Sequence, residues 1–259
     1  MSVHFEYRGR LGNAIFRYLA CSILCINFDL DYQSNRKGSI KINDNYFHEI
    51  SNKLLKNEEL VIPKKRYKMV GFYQHDEIYK KYKAKIINFI QNHPLHEIST
   101  DGTNAGDSKQ QYFKMIHILN TPKEFQKNYK NVLHVRLEDF VTNNLYVPTE
   151  RIIKLFKKNI IQDTICIVCK SPTTNFENQY LKELKEFFTS ENVDLTFEHN
   201  DVLTDFYIMK EAEILICSKS TLSWCAAFFS DKIKKCYLVD YKTKINMTCK
   251  NPIDNTILY

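Results

Sequence analysis

The sequence predicts an α/β protein of two halves, each built on a parallel sheet. Three observations predict it. From Pro148 onward, apolar runs of strand length alternate with amphipathic stretches of helical length: helix over 148–159, strand over 164–168, helix over 177–188, strand over 193–197, helix over 205–213, strand over 214–217. Such alternation argues for parallel strands joined by helical crossovers. The same strand, turn and helix sequence opens the chain, at Val3 to Tyr7 and the residues after it. Between the two regions, 99–109 (STDGTNAGDSK) is dominated by Gly, Ser, Asn and Asp, the composition of a connection. The 259 residues suffice for one large domain or two small ones, and a boundary at 125/126 divides them into 1–125 and 126–259.

Taken in order, Val3 to Tyr7 reads as a strand and runs into Arg8-Gly9-Arg10-Leu11-Gly12-Asn13. Ala14, Ile15, Tyr18, Leu19, Ser22, Ile23 and Ile26 then recur at helical spacing and predict one buried face. Glycines at 9 and 12 let a backbone approach a ligand and aim the helix N-terminus at it. Their spacing is neither that of a dinucleotide fingerprint nor that of a P-loop. Phe28 to Tyr32 reads as a second strand, whose Asp29 and Asp31 suit either a divalent ion or the solvent face of an edge strand. From Gln33 to Arg66 no period emerges. Tyr67 to Phe72 is a strand, followed by a helix to about Gln91, and Tyr112 to Leu119 is a short apolar stretch. Asn131 opens a central strand, and Lys235 to Val239 forms the last one.

Composition narrows the class. With 44% hydrophobic and 26% charged residues the chain is globular. No run approaches 18 apolar residues, so no spanning helix is expected. The first ten residues, MSVHFEYRGR, lack the apolar middle of a secretory signal. The expected location is a bacterial or viral-host cytoplasm. The net charge of +7 is spread over lysines with only short clusters, Lys64-Lys65-Arg66 and Lys157-Lys158, and no nucleic-acid motif accompanies them. It points instead to an anionic small ligand, or to loose peripheral attraction to an anionic membrane or glycan surface. The eight cysteines sit in apolar runs, as buried free thiols do. Cys166 and Cys169 lie three apart in a strand and face opposite ways, and Cys21 and Cys25 have no second pair, so no metal site is expected.

Chemistry concentrates at strand ends. In NVLHVRLEDF (131–140) a buried strand breaks into Arg136, Leu137, Glu138 and Asp139. Ligands of open α/β sheets bind at that edge. Arg136 is either a phosphate clamp or half of a surface pair with Asp139. Ser218-Lys219-Ser220-Thr221 likewise leaves a buried strand and enters an apolar helix, which describes an anion site or an ordinary N-cap. Asp205 opens a helix, where carboxylates are favoured, and Trp224 is a core residue or a ligand platform. Two such strand ends in one half, and a glycine turn with arginine in the other, suit a nucleotide diphosphate held by two Rossmann-like halves.

The same segments resemble the α-1,2-fucosyltransferases and the wider fucosyltransferase superfamily. GRLGNAIFRYLA resembles the family's GRxGNQ opening, GFYQHDEIY its GYWQ segment, HVRLEDF its HxRRGDY, and DFYIMKEAEILICSKSTLSWCAAFF its D-x-x-x-M…NSTFSWWAA. Four motifs in the family's order cover most of the chain. The resemblance implies a GT-B-like fold and metal-independent, inverting transfer of fucose from GDP-fucose to a hydroxyl of a glycan acceptor. The N-terminal half would then be the acceptor side and the C-terminal half the donor side. It further implies that Arg136 holds the β-phosphate, that His134 and Asp205 face guanine, and that Ser218, Ser220 and Thr221 face the phosphates. Arg10 and Asn13, with Gly9 and Gly12, would reach the sugar. Asp139 would orient Arg136, and Tyr73, Gln74 and His75 would line the acceptor side. Leu137 stands where the family has a second arginine and Glu138 where it has glycine. Those departures motivate a sister transferase using another nucleotide sugar; the further alternatives are a silent nucleotide- or sugar-binding protein of the same fold and metal-dependent transfer through Asp29 and Asp31.

Overall fold

The computed structural model describes residues 1–5, 9–33, 40–63, 65–100, 110–158, 163–240 and 251–259. Tyr7, Arg8, Lys64, the loop residues 101–109, Asn159 and Cys249, all used in the sequence reading, lie outside them. The chain divides into two compact units, one comprising Met1–Glu124 with Asn251, the other beginning at Phe125 and including Pro252–Tyr259.

The first unit runs β1 (Ser2–Phe5), α1 (Leu11–Phe28), β2 (Asp31–Tyr32), β3 (Ile40–Ile42), α2 (Asp44–Leu55), β4 (Arg66–Met69), α3 (Asp76–Asn92), β5 (Glu97–Thr100), β6 (Gln111–Lys114) and α4 (Met115–Leu119). Four strands form a parallel sheet in the order β2-β1-β4-β3, and β5 and β6 make a separate antiparallel pair. Helix α1 lies against β1, β5 and α3. It is buried from Leu11 to Cys25 except at Asn13, not along the single face expected. Its 18 residues are long and apolar enough to cross a membrane, against the expectation that no such helix exists, but 78% of them are buried within the protein. Asp29 ends this helix at φ +53 while Asp31 lies exposed on the edge strand β2, and among the described residues no three or more acidic, His or Cys side chains are grouped as a metal site.

Two elements occupy the stretch where no period was expected. Asn43 caps α2 by accepting from Tyr46 N (2.9 Å), and Phe47, Ile50, Ser51 and Leu54 give the helix one buried stripe.

The second unit runs β7 (Asn131–His134), α5 (Glu138–Thr142), α6 (Thr149–Phe156), β8 (Thr164–Val168), α7 (Asn175–Ser190), β9 (Asp194–Glu198), α8 (Val202–Glu211), β10 (Ile214–Ile216), α9 (Thr221–Phe229), β11 (Lys235–Leu238) and β12 (Thr256–Leu258). All six strands are parallel, in the order β12-β11-β10-β7-β8-β9. The last strand is therefore β12, not the one expected to end at Val239. Leu133, Val135, Ile165, Ile167 and Cys169 share one face and form an apolar cluster with Ile152, Leu155 and Phe156 of α6 and Leu181, Leu184 and Phe188 of α7. Burying each large side chain there is worth about 1.5–3 kcal/mol. Cys166, on the opposite pleat from Cys169, lies outside that cluster.

Candidate functional site

Strand order locates the site. In the second unit the chain builds outward from β7 through β8 to β9, then returns to lay β10, β11 and β12 on the other side of β7. Numbered from β7, the order is the 3-2-1-4-5-6 of doubly wound nucleotide-binding sheets, which leave a crevice at the carboxyl ends of the two strands where the order reverses. Those strands are β7 and β10. They end at His134 and Ile216, next to the two segments that the sequence singles out.

His134 and Ser218 tie these ends together, Nδ1 to Oγ at 2.9 Å. Both are buried. Burial first, and then the charge of Arg136, hold the imidazole pKa down at about 3, so the ring is neutral at physiological pH.

Arg136, two residues beyond β7, keeps only 14% of its side chain exposed. Its guanidinium donates to both oxygens of Asp139 at 3.2 and 3.3 Å and lies over the Phe140 ring, 4.4 Å from the centroid. Both readings of this arginine thus meet at one place, because its pair with Asp139 stands at the sheet edge where an anion would bind. The departures at 137 and 138 are accommodated. Leu137 turns into the apolar cluster. Glu138 takes φ +29, a conformation that favours glycine, and its carboxylate lies 3.3 Å from Lys170 Nζ. The Glu138 N–H donates to Glu177 Oε1 (3.1 Å), while Thr173 N, Thr173 Oγ1 and Thr174 N donate to Glu177 Oε2. Burial alone would raise the Glu177 pKa, but these donors hold it below the ordinary value. Sequence reading passed over Glu177, although T-x-x-E at 174–177 is a capping-box signature, and the capping box is formed.

On the β10 side, Ser220 caps α9 by accepting from Leu222 N (3.2 Å), and Thr221 is the first helical residue. A hydroxyl that accepts in a cap still has its proton to donate, so cap and anion site are compatible. Trp224 is 3% exposed and stacks on Phe228 with centroids 5.3 Å apart, a core position.

Asp205 lies in the first turn of α8, the helix that follows β9. The helix is capped by Asp201, which accepts from Leu203 N and Thr204 N, so Asp205 is not the cap. It is half-buried and accepts at 3.2 Å from Nδ2 of Asn200, in the loop that leads into the helix. Asn200 also donates to Glu198 (3.0 Å), which receives Lys127 at 2.6 Å and the Tyr129 hydroxyl. Burial, opposed by the Asn200 bond and reinforced by the charges of Asp201 and Glu198, lifts the Asp205 pKa to about 7.

The remaining residues of the sequence reading belong to the first unit. Gly9 takes φ +79, and a Cβ there would meet Asn13 Nδ2 at 2.9 Å. Arg10 is the N-cap residue of α1, and Gly12 is helical and buried rather than part of the turn. The turn after the adjacent strand β4 sits at the same carboxyl edge. There Asp44 accepts from Phe72 N (3.0 Å) and Tyr73 N (2.6 Å), and a Cβ on Gly71 would come within 2.5 Å of the same carboxylate. Arg17 Nε donates to Gly71 O at 2.9 Å. Tyr73, expected to face an acceptor, is fully buried at φ +56 with its hydroxyl bound to Gly71 N and Ile42 O. The exposed aromatic of this turn is Phe72.

Fold and site together define an α/β protein with parallel sheets, whose second unit gathers one arginine, one neutral histidine and three hydroxyl residues around the carboxyl ends of β7 and β10. No protein-family model matches the chain, and no curated protein matches it.

Proposed function

We propose that the chain is a metal-independent, inverting glycosyltransferase of GT-B-like architecture that transfers fucose from GDP-fucose to a hydroxyl of a glycan acceptor, its second unit holding the donor and its first the acceptor. The observation that carries this reading is the convergence of Arg136, His134, Ser218, Ser220 and Thr221 on the carboxyl ends of the two strands where the sheet order reverses. The left-handed backbone at Glu138 also supports it, since this position matches the glycine of the family's HxRRGDY.

Each residue has a chemical role in this reading. Arg136, oriented by Asp139, donates to the β-phosphate and stabilises the charge that grows as GDP departs. Ser218, Ser220 and Thr221 supply hydroxyl donors to the phosphates. Neutral His134 and Asp205 face guanine, whose amino group donates readily to a carboxylate. A guanine bound there draws the Asp205 pKa down from about 7, so GDP binding near neutral pH releases protons. Arg10 and Asn13 address the transferred sugar. Leu137, buried in the apolar cluster, favours as second reading a sister enzyme that uses a different nucleotide sugar. Calorimetry with GDP against UDP separates the two.

The test is release of free GDP from GDP-fucose, with a chelator present, by the wild type and Arg136→Ala. Removing one such donor slows turnover by about 10²–10³-fold. Failure of GDP to bind the wild type would overturn the GDP-sugar reading.

A further inference from the structure

We infer that Phe140 is a positioning residue for Arg136, its ring setting the plane of the guanidinium and so aiming the donor edge at the diphosphate. The inference rests on the nucleotide-sugar reading of that site and adds a residue to it. It starts from how Asp139 holds the arginine. Both carboxylate oxygens accept from the same nitrogen, Nη2, at 3.2 and 3.3 Å. A contact at one nitrogen is a pivot: it fixes where that atom stands but lets the plane of the group turn about it. The plane matters, because a guanidinium recognises phosphate through a flat fork of donors. A carboxylate partner also offsets the charge that an anion would meet. Phe140 contributes what the ion pair does not. The guanidinium carbon lies 4.4 Å from the centroid of its ring, a contact that holds a cation over a flat surface and leaves its net charge intact.

The backbone is arranged to bring the ring there. Arg136 and Phe140 stand four residues apart, and the segment between them doubles back. Leu137 is buried in the apolar cluster, and the Glu138 N–H is held by Glu177 at 3.1 Å where the backbone takes φ +29. The turn then closes into α5: Phe140 N donates to Leu137 O (2.6 Å), Leu145 N to Phe140 O (2.7 Å) and Asn143 Nδ2 to Asp139 O (2.6 Å). Phe140 is thus fixed through its own N–H and C=O, and its side chain is half-buried. The left-handed residue has a use in this chain: it turns 139 and 140 back onto 136, one as counter-ion and one as platform. Arg136 keeps only 14% of its side chain exposed, and a cation–π contact strengthens as the cation loses water.

The test is a double-mutant cycle of Phe140→Leu and Arg136→Ala, with Phe140→Tyr as the conservative variant, read by calorimetry with GDP and with pyrophosphate and by release of GDP from GDP-fucose. Leucine keeps apolar bulk and removes the aromatic face; tyrosine keeps the face. Phe140→Leu is expected to weaken both ligands and to slow GDP release, each about tenfold. Phe140→Tyr is expected to stay within about threefold of wild type. In the Arg136→Ala background the leucine change is expected to shift either affinity less than about twofold, because the guanidinium through which Phe140 acts is gone. Unchanged binding and turnover in Phe140→Leu overturns the inference and leaves the proposed function standing. A loss in Phe140→Tyr as large as in Phe140→Leu, or a loss undiminished in the Arg136→Ala background, overturns it in favour of ordinary packing. Wild type that binds pyrophosphate with the expected coupling, but not GDP, supports the positioning role and overturns the guanine nucleotide. Wild type that binds neither overturns both.

Discussion

Asp205→Asn is expected to make the protein more stable and less functional, with the gain confined to high pH. The folded protein holds this carboxyl at about 7, against about 3.9 in an unfolded chain. Because the folded pKa is the higher one, the folded state binds more protons between those values, and stability is lost as pH rises from about 4 to 7. Three units at about 1.36 kcal/mol each set an upper bound of about 4 kcal/mol. Asp205 is only half-buried, so solvent screening reduces this to roughly 2 kcal/mol. Asparagine retains an oxygen to accept from Asn200 and removes the charge near Asp201 and Glu198. Urea denaturation at pH 4, 6 and 8 should show no gain at pH 4, a partial gain at 6 and about 2 kcal/mol at 8. GDP calorimetry on the same variant should show weakened binding and loss of proton release. A gain independent of pH would refute the argument that burial of the charge causes the shift. A pH-dependent gain with unchanged GDP affinity would leave Asp205 strained for no ligand's sake.

Two further changes test how the β7 exit is held. Glu177→Ala removes the acceptor of four donors and half of a capping box, and is expected to cost about 2–4 kcal/mol at pH 7. Because the folded pKa of Glu177 is depressed, the wild type should begin to lose the ionised part of this contribution as pH falls below about 4.3 and lose it fully only below the depressed folded value, so the two stability curves should approach each other there. Glu138→Gly relieves a strained backbone, worth about 1 kcal/mol, and gives up a half-exposed pair with Lys170 of similar size. Chemical denaturation should thus find it within about 1 kcal/mol of wild type, while calorimetry finds GDP bound several-fold more tightly for want of a carboxylate beside Arg136.

The alternation of strands and helices in the second half was legible because each element carries its own period, and β8 occupies the expected residues 164–168. The first half was harder. Helix α2 escaped notice although Phe47, Ile50, Ser51 and Leu54 follow a helical spacing, because lysines and asparagines around them dilute the pattern. Strand β2 is only the last two residues of the strand expected over 28–32, Phe28 and Asp29 being the end of α1 and its cap, and β12, of three residues, is too short to have a period at all. Arg136 could be read both as a strand-end cation and as half of a pair with Asp139, but not that the pair stands at the point where the strand order reverses. Glu177 was invisible as a site residue. Its significance lies in a partner 39 residues away, Glu138.

By itself, then, the sequence determined the class of fold, the strand that leads to Arg136 and the hydroxyl turn after Cys217, because apolar period and abrupt charge are local properties. Tertiary structure alone decided that β7 and β10 are neighbours at a reversal of strand order and that His134 meets Ser218 there. It also decided that Asp205 is lifted to about 7, and that Tyr73 is buried while Phe72 is exposed. Burial, desolvation and charge balance depend on which segments pack together, and no period along the chain encodes that.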